Sequence, residues 1–312
     1  MFLRLTMIVA ICFCGADRAI ADQVTDQVNQ WRQSNEQQII DEFAGLLSIP
    51  NVAADEPNIR RNAEHISQLL TDAGMNVELL ELEGSNPAIF AERPSPGATK
   101  TVMIYIHYDG QPVNVDNWAS DPWGPVIRTD MVENGGEQVP MTTPFDPDWR
   151  IFARSAGDDK APIIALQSAL KAMAEAGIEP TVNLKVFLEG EEEAGSPNLR
   201  RMIEAHKDKL AANLWLFCDG PVHQSRRWQL VYGVRGTYGF NLTVYGPNRP
   251  LHSGHYGNWA PNPIMLLTEL ISSMRAPDGE ILVDGYSDQV RPLSEEELNA
   301  IAAAPRMDEL LT

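Results

Sequence analysis

The chain has 312 residues, 44% of them hydrophobic and 21% charged, a balance that supports a folded core, excludes a disordered chain and leaves room for two domains. Its 43 acidic residues against 24 basic ones give a formal charge of -19. No basic field exists to hold a phosphate backbone, so nucleic acid is excluded as a partner and anionic membrane surfaces are disfavoured.

The opening "MFLRLTMIVAICFCGADRAIADQ" joins Arg4, an apolar run from Leu5 to Ala16 and the small-x-small triplet Ala19-Ile20-Ala21. This pattern reads as a secretory signal over residues 1–21, cleaved before Asp22, and predicts a periplasmic or secreted protein without stable membrane association. A membrane anchor is the alternative, set behind because the run is short for a bilayer span. Lipidation at Cys12 or Cys14 is weaker still, since bulky Ile11 and Phe13 precede them. After cleavage only Cys218 would remain, so no internal disulfide is expected.

From about Gln30, Ile39, Ile40, Phe43, Leu46 and Leu47 recur at helical spacing, and "IPNV" with Pro50 stops that helix. A second helix is predicted over about 57–74. "NVELLEL", "AIFAER" and "TVMIYIH" follow as strands, the last apolar enough to be covered on both faces. "KAPIIALQSALKAMAEAG", "TVNLKVFLE", "NLRRMIEAHKDKLA" and "NLWLFCD" then alternate helix and strand, which predicts an α/β fold with helices on the faces of a sheet. Residues 117–150, rich in Pro, Gly, Asp and Trp, show no period and read as a long surface excursion of the kind that is often functional. Beyond Asp219, "WQLVYGVRGTYGFNLTVYG" reads as paired strands and "NPIMLLTELISSM" as a helix, with a second domain beginning near residue 225.

Four places put a metal-ligand residue type where an apolar strand ends or a helix begins. In open α/β sheets the ligand crevice lies beyond the carboxyl ends of the strands, so such ends can converge. "YIHYDGQ" sets His107 and Asp109 two apart, on one side of an extended chain, where Asp109 could hold the second nitrogen of a metal-bound imidazole. "SAGDDKAP" places Asp158 and Asp159 at a helix start, where one carboxylate suffices as a cap and the other is free to meet a cation. "VFLEGEEEAGS" crowds Glu189, Glu191, Glu192 and Glu193, and "LFCDG" ends on Asp219. Taken singly each has a bland reading: a structural histidine, a cap, a solvated acidic turn.

Together "HYDGQP", "DDKAP", "EGEEEAGS", "FCDG" and "LHSGHYG" resemble, in order and spacing over roughly residues 30 to 275, the co-catalytic zinc peptidase family that includes carnosinases, aminoacylases and the glutamate-releasing carboxypeptidases. The resemblance implies a catalytic domain over 22–224, a mixed sheet flanked by helices, and an inserted α+β lid and dimerisation domain over 225–312. It implies that His107 and Asp219 hold one of two zinc ions, Glu193 the other, and Asp158 bridges both, with a cis peptide between Asp158 and Asp159. Mn2+ or Co2+ could stand in for Zn2+. Glu192 resembles the general base, which takes a proton from the metal-bridging water and delivers it to the leaving amine. Asp109 accompanies His107, and His252 of "LHSGHYG" stabilises the developing oxyanion, often from the partner subunit of a homodimer. Cations would offset the repulsion among the crowded carboxylates, while Glu189 and Glu191 read as solvated neighbours. His255 reads as structural, and His65, His206 and His223 as surface residues.

Two departures from the family stand out. Ala161 replaces the Gly of "DDKG", and the returning segment that carries a final zinc-binding His and the substrate-carboxylate binders is not found before Thr312. The chain is therefore expected to be C-terminally truncated and, alone, weakly active or inactive. The expected function is zinc-dependent hydrolysis of small peptides, most like a carnosinase-like dipeptidase. An N-acyl amino acid amidohydrolase and, from another class, a non-catalytic pseudoenzyme are the alternatives.

Overall fold

The computed structural model describes residues 23–220 and 229–304, apart from 235 and 238. The signal read over 1–21, together with Asp22 and His223, lies outside the described residues. The chain divides into two compact units, Met1–Gly220 and Pro221–Thr312. No described helix is long and apolar enough to cross a membrane.

In the first unit α1 (23–34) leads into α2 (Glu36–Leu47), which buries Phe43, Leu46 and Leu47 and ends ahead of Pro50. Proline disfavours helical backbone in the residue before it, so the stop is where the sequence places it. Helix α3 (Glu56–Asp72) is capped by Asp55, whose carboxylate accepts the Asn58 N–H, and carries Pro57 in its first turn, where a missing donor costs nothing. Its Ile59, Ala63, Ile66 and Leu70 fall on one helical stripe and are fully buried.

Five strands form the main sheet: β1 (Asn76–Leu80), β2 (Ala88–Arg93), β3 (Thr101–His107), β7 (Asn183–Glu189) and β8 (Leu214–Phe217), in the order β1-β2-β7-β3-β8. β1, β2 and β7 pair antiparallel, whereas β3 runs parallel to both β7 and β8. The sheet is mixed, as expected. One face packs Ile89, Ile106, Val186 and Leu188 against α2, α3 and α4 (Ala161–Glu175), and the other packs Phe90, Met103, Tyr105 and Phe187 near α5 (Leu199–Ala205). Burial on both faces is why β3 and β7 read as continuous apolar runs instead of alternating ones. Because β3, β7 and β8 are parallel, with His107 opposite Glu189 and Tyr105 opposite Phe217, their carboxyl ends open on one edge of the sheet. That edge is where such a sheet offers a ligand crevice.

Two expectations are corrected. Residues 117–150 are not elementless: β4 (Val126–Arg128), β5 (Gln138–Val139) and β6 (Arg150–Phe152) form a small antiparallel sheet ordered β5-β4-β6. Strands this short leave no readable alternation. The paired strands expected over 228–246 are absent among the described residues there, where Tyr232 and Val234 are more than nine-tenths exposed. A two-stranded ribbon without a third strand or a helix to cover it is marginal in water. The second unit instead contains α6 (Ser253–Tyr256), α7 (Pro263–Ser273) and α8 (Glu295–Ala303), with one isolated bridge between Arg275 and Ile281. Helix α7 starts at the Asn262 cap followed by Pro263, and α8 at a capping box of Ser294 and Glu297.

Candidate metal centre

The first arm of the site continues β3. Tyr108, fully buried, donates its N–H to Glu189 O at 2.8 Å, which extends the parallel ladder one step and keeps His107 and Asp109 on one side of the chain. His107 Nδ1 meets the Asp109 carbonyl oxygen at 3.2 Å and its carboxylate Oδ1 at 3.4 Å. With that nitrogen occupied by acceptors, the lone pair of the neutral ring sits on Nε2. Nε2 lies 2.7 Å from Asp158 Oδ1 and 4.0 Å from Asp219 Oδ2.

The second arm is the turn before α4. The peptide between Asp158 and Asp159 is cis. Asp159 points inward, accepting the His107 N–H at 3.3 Å, while the Asp158 side chain is 70% exposed. Neither caps the helix, whose N-cap is Lys160. The Lys160 side-chain nitrogen is buried and donates to Leu46 O in the last turn of α2 and to Ile49 O just after it. Ala161, the departure from Gly, packs partly buried against the core. The third arm follows β8, where Cys218 N–H donates to Tyr105 O at 2.9 Å and carries the ladder to Asp219.

Ligand atoms of His107, Asp158 and Asp219 lie within 4.8 Å of one another, the one such convergence of His, Cys, Asp or Glu among the described residues. The fourth expected ligand, Glu193, stands outside this trio, with Oε2 accepting from Gln111 Nε2 at 2.6 Å. It is nonetheless tied to the first arm. The wholly buried Asp109 accepts the Glu192 N–H on Oδ1 at 3.1 Å and the Glu193 N–H on Oδ2 at 3.0 Å. Asp109 therefore orients the imidazole and the glutamate turn at once, a second task that its spacing from His107 does not reveal.

Glu192 is half-buried and free of such a side-chain clamp. Burial raises its carboxyl above the usual range, His107 opposes the rise, and Asp219, Glu193 and Asp109 add to it. Its carboxyl thus feels Asp109 of the first arm, Asp219 of the third and its neighbour Glu193. The solvated reading of Glu189 and Glu191 is wrong: both are buried. Glu189 accepts the Tyr105 hydroxyl at 2.6 Å, and Glu191 accepts the Asn86 N–H and the Asn198 side-chain amide, so these two fasten the turn to its surroundings. A run of charges offers no local sign of such distant donors.

Among the remaining histidines, His65 and His206 are half-buried with Nε2 enclosed, not free on the surface as expected. His252 belongs to the second unit, where its Nδ1 accepts the Gly254 N–H at 3.0 Å at the start of α6. With Nδ1 accepting, the ring proton sits on Nε2. The His255 ring lies 5.1 Å away.

The donor set suits a divalent ion. Burial opposes a charge on His107, but Asp109, Asp159 and Asp158 outweigh it and raise the ring to about 10. The pocket therefore favours a cation, and a proton takes that place in the metal-free protein. A divalent metal ion must displace it, so binding below pH 10 is expected to release about one proton from this site and to tighten as pH rises. Calorimetric titration in buffers of different ionisation enthalpy checks this; a heat independent of buffer would contradict it.

An imidazole and two carboxylates gathered beside the parallel strand ends of a mixed sheet form a candidate divalent-metal site. Peptidase family M20/M25/M40 matches residues 103–253. The Cys-Gly metallodipeptidase dug1 of Schizosaccharomyces pombe is 32% identical over 86% of this chain and 56% of its own length. The Beta-Ala-His dipeptidase of Homo sapiens is 32% identical over 70% of this chain and 40% of its own. The chain belongs to the M20 peptidase family, and it spans about half the length of these curated relatives. An M20 family metallo-carboxypeptidase from Sulfolobus solfataricus superposes with a TM-score of 0.65 at 29% identity, covering 87% of this chain and 58% of the other. The di-peptidase Dug1p from Saccharomyces cerevisiae shares the fold with a TM-score of 0.61, over 92% of this chain and 60% of that one.

Proposed function

We propose that this chain serves the zinc-dependent hydrolysis of the amide bond of small peptides, as a dipeptidase. The convergence of His107, Asp158 and Asp219, with the Glu192 carboxyl in electrostatic reach, carries this reading. His107 Nε2 and Asp219 would hold one zinc, Asp158 would be shared, and Glu193 would serve the second ion. When bound, the two ions supply Lewis acidity that polarises the scissile carbonyl and acidifies water, a task Mn2+ or Co2+ can also perform.

The chain's own groups do the rest. Glu192, not itself a ligand, takes the proton of the attacking water on its carboxylate and returns it to the leaving nitrogen; coordination would occupy the lone pair this needs. Asp109 fixes the base's backbone and the imidazole in one frame. In a homodimer, the partner's His252 would present Nε2–H to the developing oxyanion, where a preorganised donor is typically worth roughly 3 kcal/mol. The second unit forms the dimer contact, and the protein works in the periplasm or outside the cell once residues 1–21 are removed.

Relatives named for Cys-Gly and Beta-Ala-His cleavage favour dipeptides over acylated amino acids. A panel of both substrate types, assayed with zinc supplied on a form that carries the returning segment, is expected to show higher kcat/KM on dipeptides; preference for N-acyl amino acids would replace the peptidase reading by an amidohydrolase one. Metal analysis separates the non-catalytic alternative. Two zinc ions per chain support the hydrolase, and none or one supports a pseudoenzyme.

A further inference from the structure

We propose that Asn51 is a positioning residue that locks the His107–Asp109 arm to the Asp158 arm, an inference that rests on the metal-site reading above. Asn51 is fully buried in the irregular segment after α2. Its side-chain Nδ2 donates to Tyr108 O at 2.7 Å and to Ser155 Oγ at 3.0 Å. Its backbone oxygen accepts the Gly110 N–H at 2.8 Å, and Val52 forms an isolated parallel bridge with Gly110. The first arm is therefore held on both sides of Asp109, by a side chain at residue 108 and by backbone at residue 110.

Ser155 opens the second arm. It is buried, adopts a left-handed φ of 61°, and its carbonyl accepts the Lys160 N–H at 3.1 Å. Lys160 reaches back to Leu46 O and Ile49 O. The turn bearing Asp158 is thus anchored at both ends to the segment 46–51, the same segment that grips residues 108 and 110. No slack exists at the junction: a Cβ on Gly110 would fall 2.3 Å from Ser155 Oγ and 3.1 Å from Asn51 Oδ1.

Only a side chain with two amide protons serves both acceptors. Aspartate at this position would offer no donor and would bury a charge, and alanine would leave Tyr108 O and Ser155 Oγ without it. Asn51 acts through residues 108 and 155 to set how His107 Nε2 faces Asp158 Oδ1. Hydrogen-bond partners that orient metal ligands in this way change metal affinity about 10- to 100-fold when removed.

The test titrates Co2+, a visible stand-in for zinc, into the metal-free protein well below its unfolding temperature. Asn51→Ala is expected to weaken Co2+ binding by about 10- to 100-fold and to alter the d–d bands. Ser155→Ala is expected to shift both in the same direction by less. Leu210→Ala, a core change in the separate cluster on the other face of the sheet, should lower Tm yet leave affinity and spectrum as in the parent. Parent-like affinity and spectrum in both Asn51→Ala and Ser155→Ala would overturn the proposal; should Asn51→Ala not fold, Ser155→Ala alone decides by the same criterion. A parent protein that binds no Co2+ would instead overturn the metal-site reading, and this inference with it.

Discussion

In a form that carries the returning segment, Glu192→Gln is expected to lower kcat by about 100- to 10,000-fold while zinc content stays at the parent level. The substitution keeps size and the backbone hydrogen bond from Glu192 N–H to Asp109. It removes the one property the reaction needs from this side chain, the capacity to accept a proton and give it back. Glu192 is not part of the His107, Asp158 and Asp219 convergence, and in the proposed site its neighbour Glu193, not Glu192, serves as the ligand. Steady-state rates and elemental analysis on the same samples check both halves. Zinc lost in step with activity would make Glu192 a ligand and place the base elsewhere.

Asp158→Ala is expected to lose metal and activity together. Its carboxylate contacts His107 Nε2 and is otherwise largely exposed, so removing it leaves the core intact. Exposed substitutions of this kind usually move stability by only about 0.5 kcal/mol. A ligand shared as proposed would, by contrast, serve both ions. The loss of zinc affinity should exceed the roughly 10- to 100-fold cost of removing a mere outer partner. Competition against a chromophoric chelator measures it, with thermal unfolding of the metal-free protein as the control. Parent-like zinc affinity in this variant would remove Asp158 from the ligand set.

The contrast between these two variants follows from how the site is built, and much of that was legible in the chain. Helical stripes in α2, α3 and α4 and the apolar runs of β3 and β7 are local patterns, and each produced the element expected of it. The strand-end logic brought His107, Asp158 and Asp219 together. Other features depend on partners far along the chain and leave no local trace. Glu189 and Glu191 look solvated because the donors that bury them, Tyr105, Asn86 and Asn198, sit on other segments. Asn51 reads as the residue after a helix-stopping proline, and its link to Tyr108 exists only once the registers are set. The stretch over 228–246 shows the converse failure. Its aromatic and β-branched residues have strand propensity, but that propensity reflects packing against neighbours, and Tyr232 and Val234 have little.

Anomalous diffraction at the zinc edge, from crystals grown with zinc, addresses the whole proposal at once. The expected map has one peak bounded by His107 Nε2, Asp158 and Asp219, and a second beside it that draws the Glu193 carboxylate away from Gln111. Zinc bound elsewhere, or no peak with His107 still hydrogen-bonded to Asp158, would contradict it.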